Sequence, residues 1–168
     1  SKKDQNNAAA GMVEAYFLLG RYDSVLTLAE GIQSQEGASI DVQNKASLFT
    51  AKVHIQNKEY DKAMDELLTT VNNARDVVGA EAQYLIGFVL FEQKKYNESL
   101  AALFDLKSSY SNQPKWYNKG FLLIADNYVA LKENFQAQAT LRSIIENAKD
   151  KETIDAAKAK LQALSSPD

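Results

Sequence analysis

The 168 residues, 45% hydrophobic and 24% charged, suffice for one folded domain with its own core and leave little room for two. A formal net charge of -3, with basic runs no longer than Lys2-Lys3 and Lys94-Lys95, offers no phosphate-binding patch, so nucleic acid is not an expected partner. The absence of cysteine excludes disulfides and thiolate metal sites, and no apolar run approaches the ~20 residues that span a bilayer.

Residues 1–7, "SKKDQNN", read as a disordered or linker-like start, and without an initiating Met as the edge of an excised or processed chain. From residue 8 onward few Gly and Pro, and many Ala, Leu, Lys, Glu and Gln, favour helix. Four phrases share one form: "LGRYDSVLTLA", "NKEYDKAMDEL", "QKKYNESLAAL" and "KENFQAQATLR". Each has a short polar turn, an aromatic residue, and then an apolar-striped run. The aromatics Tyr22, Tyr60, Tyr96 and Phe135 lie 38, 36 and 39 residues apart, a spacing that marks helical-hairpin repeats. Each repeat is read as helix A, a turn and helix B.

The second hairpin places Ala63, Leu67 and Val71 on one stripe of its helix B, with Lys62 and Glu66 on the wet face. The third predicts helix A over 80–93 and helix B over 96–109, with Leu100, Leu103, Leu106 and Tyr110 sharing a face. "EGAS" (36–39) and "VVGA" (77–80) are read as glycine-marked helix ends, and "SNQP" (111–114) as a helix start. Asp23, Asp61 and Asn97 follow the turn aromatics, where polar or acidic groups suit a helix N-terminus. A final helix over 151–164, striped by Ile154, Ala157, Leu161 and Leu164, reads as a cap on the stack, and 165–168 as a frayed tail. No segment reads as a strand.

Small side chains recur at fixed places: Ala51, Gly87 and Ala125 in helix A, and Ala63, Ser99 and Ala137 in helix B. They let two helices approach closely, while the turn aromatics Tyr60 and Tyr96 fill the wedge between hairpins. This pattern resembles tetratricopeptide repeats. The third hairpin matches with Gly87, Leu90, Tyr96, Ser99 and Leu103, the second with Ala51, His54, Tyr60, Ala63 and Leu67. The first is looser, with Val13, Tyr16, Tyr22, Val25 and Ala29; the fourth fits with Ala125, Tyr128, Ala137 and Leu141 if its turn is one residue longer and Asn134 takes the turn slot. The resemblance covers positions 8 to 148. It implies an all-α, right-handed superhelix of about four hairpins plus a C-terminal capping helix, forming a single domain over 8–164. The long period is also similar to irregular repeats of bacterial envelope scaffold proteins, which implies a periplasmic or envelope location rather than the cytoplasm.

In such a solenoid helix A lines the inner surface, which implies groove positions Phe49 and Lys52 from the second hairpin, Tyr84, Leu85 and Phe88 from the third, and Leu122, Leu123 and Asp126 from the fourth. Ala10, Glu14 and Leu48 take corresponding places. Burial by neighbouring helices is the competing reading, strongest for Leu48, Tyr84 and Leu122. A mostly apolar groove suits an amphipathic helix or extended peptide. Trp116 and Tyr117 open helix A of the fourth hairpin and read either as half-buried against Tyr110 or as a binding anchor.

Nothing in the sequence assembles a catalytic or cofactor site. His54, the single histidine, sits in a helix-A packing slot, and one His without Cys makes a poor metal site. Asp61 and Asp65 share a solvated helix face, where no enclosed cleft would shift their pKa values. "NES" (97–99) matches a glycosylation sequon but is better read as a helix start. The expected function is therefore a non-enzymatic scaffold or adaptor that binds a protein or peptide, without cofactor. The alternative is a structural segment of a longer repeat protein, with end repeats covered by upstream repeats or by a homodimer through Met12, Val13, Tyr16 and Phe17.

Overall fold

The computed structural model describes residues 2–165. Among them are nine α-helices and no strand: α1 (Lys2–Leu18), α2 (Tyr22–Ser34), α3 (Ile40–Gln56), α4 (Tyr60–Asn73), α5 (Val77–Glu92), α6 (Tyr96–Ser109), α7 (Pro114–Ala130), α8 (Asn134–Asn147) and α9 (Lys151–Ser165). Residues 2–7, expected to be linker-like, are the first turns of α1. Of the expected frayed tail, Ser165 closes α9. Ser1 and residues 166–168 lie outside the described residues.

Four hairpins have one turn, repeated. Gly20, Lys58, Lys94 and Lys132 all have positive φ, between 59° and 70°. The next N–H, from Arg21, Glu59, Lys95 or Glu133, donates to the carbonyl five residues back, on Tyr16, His54, Leu90 or Tyr128, at 2.8–2.9 Å. The N–H of the positive-φ residue itself donates to Phe17, Ile55, Phe91 or Val129 at 2.9–3.0 Å. This pair of bonds closes the end of helix A in a Schellman motif. The residue after the left-handed one then starts helix B, with φ near -87° and ψ near 62° in every copy. Only Gly20 adopts the left-handed region without steric cost; three lysines hold it against about 1 kcal/mol or more of strain.

That common turn places Tyr22, Tyr60, Tyr96 and Asn134 in the same slot. The fourth connection has three residues, like the others, and contains no extra one. Phe135 is 83% exposed, so it fills no wedge.

The links between hairpins work differently. Asp76 Oδ1 accepts the N–H groups of Val78 and Gly79 and so caps α5. Asp150 Oδ1 does the same for α9 through the Thr153 N–H. "VVGA" is therefore a helix start, not an end: Gly79 is buried in the first turn of α5. Gly37, at φ +83°, does lie in the link after α2, and Pro114 opens α7.

The chain forms two compact units, Ser1–Ala82 and Gln83–Asp168. In the first, α1 packs on α2 and α3, α2 on α3, and α3 on α4. Its core gathers Val13, Val25, Ile32, Val42, Phe49 and Val53. In the second, α6 packs on α7, α7 on α8 and α9, and α8 on α9. There Leu141, Ile144 and Ala157 close around Ala125, flanked by Phe121, Leu161 and Leu164. Each fully buried Leu or Val contributes about 1.5–3 kcal/mol of apolar transfer, which accounts for the cohesion of these stripes.

Candidate functional site

The small residues sit where helices cross. Ala51, Ala63, Ser99, Ala125 and Ala137 are buried, as is Gly87. A Cβ on Gly87 would lie 2.6 Å from Leu103 Cδ2 and 2.7 Å from its Cγ, so α5 and α6 touch through the missing side chain. Ser99 Oγ also donates 2.7 Å to the Gly87 carbonyl. Nothing in the repeat pattern singled out Asn127, yet it is fully buried and donates through Nδ2 to Ser99 Oγ and to the Leu123 carbonyl. Its helix register, seven residues before the helix-B start, holds Val53 and Val89 in the preceding hairpins. A polar residue is tolerated there because the facing small residue is Ser99 and not alanine. A second small position, fourteen residues before the last three helix-B starts, carries no mark in the repeat pattern: Ala46, Ala82 and Gly120 are all buried there. A Cβ on Gly120 would meet Leu106 Cδ2 at 2.6 Å. Tyr96 stacks near Phe91, with centroids 5.5 Å apart, and Tyr60 is half-buried at the equivalent place.

The groove candidates separate by burial. Phe49 and Leu123 are each only 6% exposed. Phe49 packs edge-on against Phe17 within the core of the first unit. Leu48 is buried as well. Tyr84, Leu85, Phe88, Leu122, Lys52 and Asp126 remain partly exposed on helix A. Lys52 is occupied: its ammonium bonds Glu81 at 2.7 Å and lies over the Phe49 and Phe17 rings. Asp126 bonds Lys160 at 2.6 Å.

These ion pairs follow a register. Counting back from the helix-B starts, the eighth residue is Glu14, Lys52, Phe88 or Asp126, and the fifteenth is Lys45, Glu81 or Lys119. The eighth residue of one helix A pairs with the fifteenth of the next: Glu14 with Lys45 at 2.6 Å, and Lys52 with Glu81. Asp126 finds Lys160 on the last helix in the same manner. Phe88 and Lys119 hold the remaining rung, which has a cation but no carboxylate. Beside it, Trp116 is buried and stacked on Tyr84 at 5.5 Å, with Lys115 and Lys119 at 5.0 and 4.8 Å from its ring centre. Trp116 is thus buried, not half-buried, and packs against Tyr84. Burial, followed by the nearby Asp126 charge, raises the pKa of Tyr84 above its usual value. An open cleft of about 500 Å3 lies between α7 and α9, with Lys115, Lys119 and Leu122 on one wall and Asp150, Glu152 and Ala156 on the other.

Elsewhere, His54 Nδ1 lies 2.7 Å from Glu59 Oε2, and Lys62 donates to the other oxygen at 2.7 Å. The Lys62 bond, with help from His54, lowers the Glu59 pKa to about 2. His54 thus braces the turn from half-buried packing. Asp61 and Asp65 are exposed. Among the described residues no group of three or more His, Cys, Asp and Glu could hold a metal, and no helix is long and apolar enough to cross a membrane.

A family model described as "Anaphase-promoting complex, cyclosome, subunit 3", of tetratricopeptide-like repeat type, matches residues 20–106, just over half of the sequence. No curated protein and no solved structure matches it significantly.

Proposed function

We infer from the tetratricopeptide-like repeat family, to which this chain belongs, that it is a protein–protein interaction module, and we propose that the helix-A face of its second unit is the docking surface. One observation carries this reading. Tyr84, Leu85, Phe88 and Leu122 stay partly exposed, and Leu122 lines an open cleft, whereas in the first unit Lys52 is paired with Glu81 and Phe49 is buried. Partly exposed apolar side chains on one helix face suit the large side chains of a helical or extended peptide. The family and that surface support a scaffold role without catalysis. Affinity capture from extracts of the source cells tests it: Phe88→Glu and Leu122→Glu, each with unchanged helicity, should lose partners that the unaltered chain retains. Partners retained by both variants would refute the assignment.

A second reading has its own support. Met12, Leu18 and Leu19 are 46%, 77% and 71% exposed. At the register of Met12, the later hairpins bury Thr50, Ile86 and Ile124. The first hairpin thus leaves open a face that fits a further repeat or a second copy, and sedimentation velocity over a range of concentrations tests self-association there. The envelope location belongs to the same proposal. It is supported by the long, irregular repeat period, and fractionation of the source cells tests it.

A further inference from the structure

We propose that the polar cleft between α2, α3 and α4 is a binding site for a guanidinium group. It belongs to the first unit and does not depend on the docking surface assigned to the second. The cleft, of about 340 Å3, is lined by Gln33 of α2, by Asn44 and Ser47 of α3, and by Asp65, Glu66 and Asn73 of α4. Asn44 is the decisive side chain. It is only 4% exposed, yet among the described residues its side-chain amide has no hydrogen-bond partner. An amide buried in that way costs free energy, and native chains seldom keep one without a use for it. Nor does the fold require asparagine at this register. Sixteen residues before the helix-B start, the third hairpin buries Ala80, and in the fourth Asn118 donates to Asp150 Oδ2 at 2.8 Å. A counterpart of the cleft lies between α6, α7 and α8, and its chemistry is different. There Lys107 replaces Gln33, and Phe121 replaces Ser47 and packs on Tyr117 with centroids 4.8 Å apart. Ala139 and Thr140 stand in place of Asp65 and Glu66. The first cleft thus has two carboxylates, and among the described residues no basic side chain lines it and neither carboxylate is ion-paired. Hydrogen-bond polarity agrees with the charge. Gln33 Nε2 donates to Ser47 Oγ at 2.9 Å, Asn73 Nδ2 to the Thr69 carbonyl at 3.0 Å, and the Thr69 hydroxyl to the Asp65 carbonyl at 3.0 Å. What these groups have left to offer is chiefly acceptor: carboxylates and amide oxygens. A guanidinium presents a planar fork of N–H donors and a permanent charge, which suits carboxylates set beside amide oxygens. An anion would meet Asp65 and Glu66, and an apolar group would leave Asn44 unpaired.

The guanidinium can belong to a free small molecule or to an arginine of a partner chain, and the test separates the two. The full chain, labelled with nitrogen-15, is titrated with agmatine, with a blocked Gly-Arg-Gly peptide, and with the same peptide carrying citrulline, which keeps the shape and lacks the charge. Agmatine or the arginine peptide should shift the side-chain amide signals of Asn44 and the backbone amides of Asp65 and Glu66. It should bind about tenfold tighter than the citrulline peptide, and more weakly as salt rises. Tighter binding of the arginine peptide than of agmatine assigns the site to a partner's arginine; the reverse assigns it to a free guanidino compound. Asn44→Ala should cost about tenfold in affinity with helicity unchanged, since the third hairpin already buries alanine at that register. Glu66→Gln, which keeps the side chain's size, should cost about fivefold or more. No shift at Asn44 with millimolar agmatine or arginine peptide, equal affinity for the citrulline peptide, or binding indifferent to both Asn44→Ala and Glu66→Gln would overturn the proposal.

Discussion

Gly87→Ala isolates the contact on which the third hairpin depends. A methyl group there would overlap Leu103, whose Cδ2 and Cγ lie 2.6 and 2.7 Å from the ideal Cβ position. The Cδ2 can swing away, but the Cγ is fixed more closely to the backbone, and Leu103 is fully buried. Relieving the overlap costs about 1–3 kcal/mol, as for other overpacked cores. Ala recovers about 1 kcal/mol of helix propensity over Gly, so the net destabilisation is about 0–2 kcal/mol. Gly31→Ala in α2 supplies the control, since a Cβ there meets nothing within 4 Å and only the propensity gain of about 1 kcal/mol remains. Urea denaturation followed by circular dichroism should therefore separate the two variants by about 1–3 kcal/mol. Leu103→Ala then removes the obstructing atoms, and in that background Gly87→Ala should turn stabilising by about 1 kcal/mol. Equal stabilities for Gly87→Ala and Gly31→Ala, or no change of sign with Leu103→Ala, would refute the close approach of α5 and α6.

Other outcomes follow from the same geometry. Lys94→Gly relieves a left-handed lysine and should leave stability unchanged or raise it by up to about 1 kcal/mol, whereas Lys94→Val should lower it by about 1 kcal/mol or more, both read as shifts in thermal midpoint. Ser99→Ala removes an acceptor from buried Asn127 and should cost about 1–2 kcal/mol, but distinctly less in an Asn127→Val background; additive costs in the double-mutant cycle would deny the network. The Glu59 carboxylate, held down to a pKa of about 2 mainly by Lys62, should stay ionised well below pH 4.5 in a carbon-13 titration. Because its folded pKa is lowered, its contribution to stability is present above its usual value of 4.5 and fades as pH falls towards 2, a fading that Glu59→Gln should abolish.

The architecture was legible because it is written four times. The spacing of Tyr22, Tyr60 and Tyr96 set the hairpins, and the three-residue turn has the same geometry in each. The fourth copy was harder to read because Asn134 occupies the aromatic slot while the conspicuous Phe135 points outward. "VVGA" misled because glycine marks helix ends so often; the deciding signal was Asp76, an N-cap residue just before the first apolar pair. Lysine at the left-handed turn position carries no local signature, since its conformation is imposed by the two backbone bonds that close helix A. In the candidate site, spacing alone located the helix-A face but could not divide it. Phe49, Leu85 and Leu123 share the eleventh place before their helix-B starts, yet Phe49 and Leu123 are buried and Leu85 is not, a difference that depends on contacts between helices. The ion-pair register could have been found in the sequence by aligning the hairpins on their helix-B starts, where Phe88 is the one uncharged residue in its column.

Chemical-shift mapping of the chain with its captured partner tests the docking assignment most directly. The account predicts that the largest amide and methyl perturbations gather on Leu85, Phe88, Lys119 and Leu122. Perturbations gathered instead on Met12, Leu18 and Leu19, with those four residues unmoved, would contradict it and place the contact on the open face of the first hairpin.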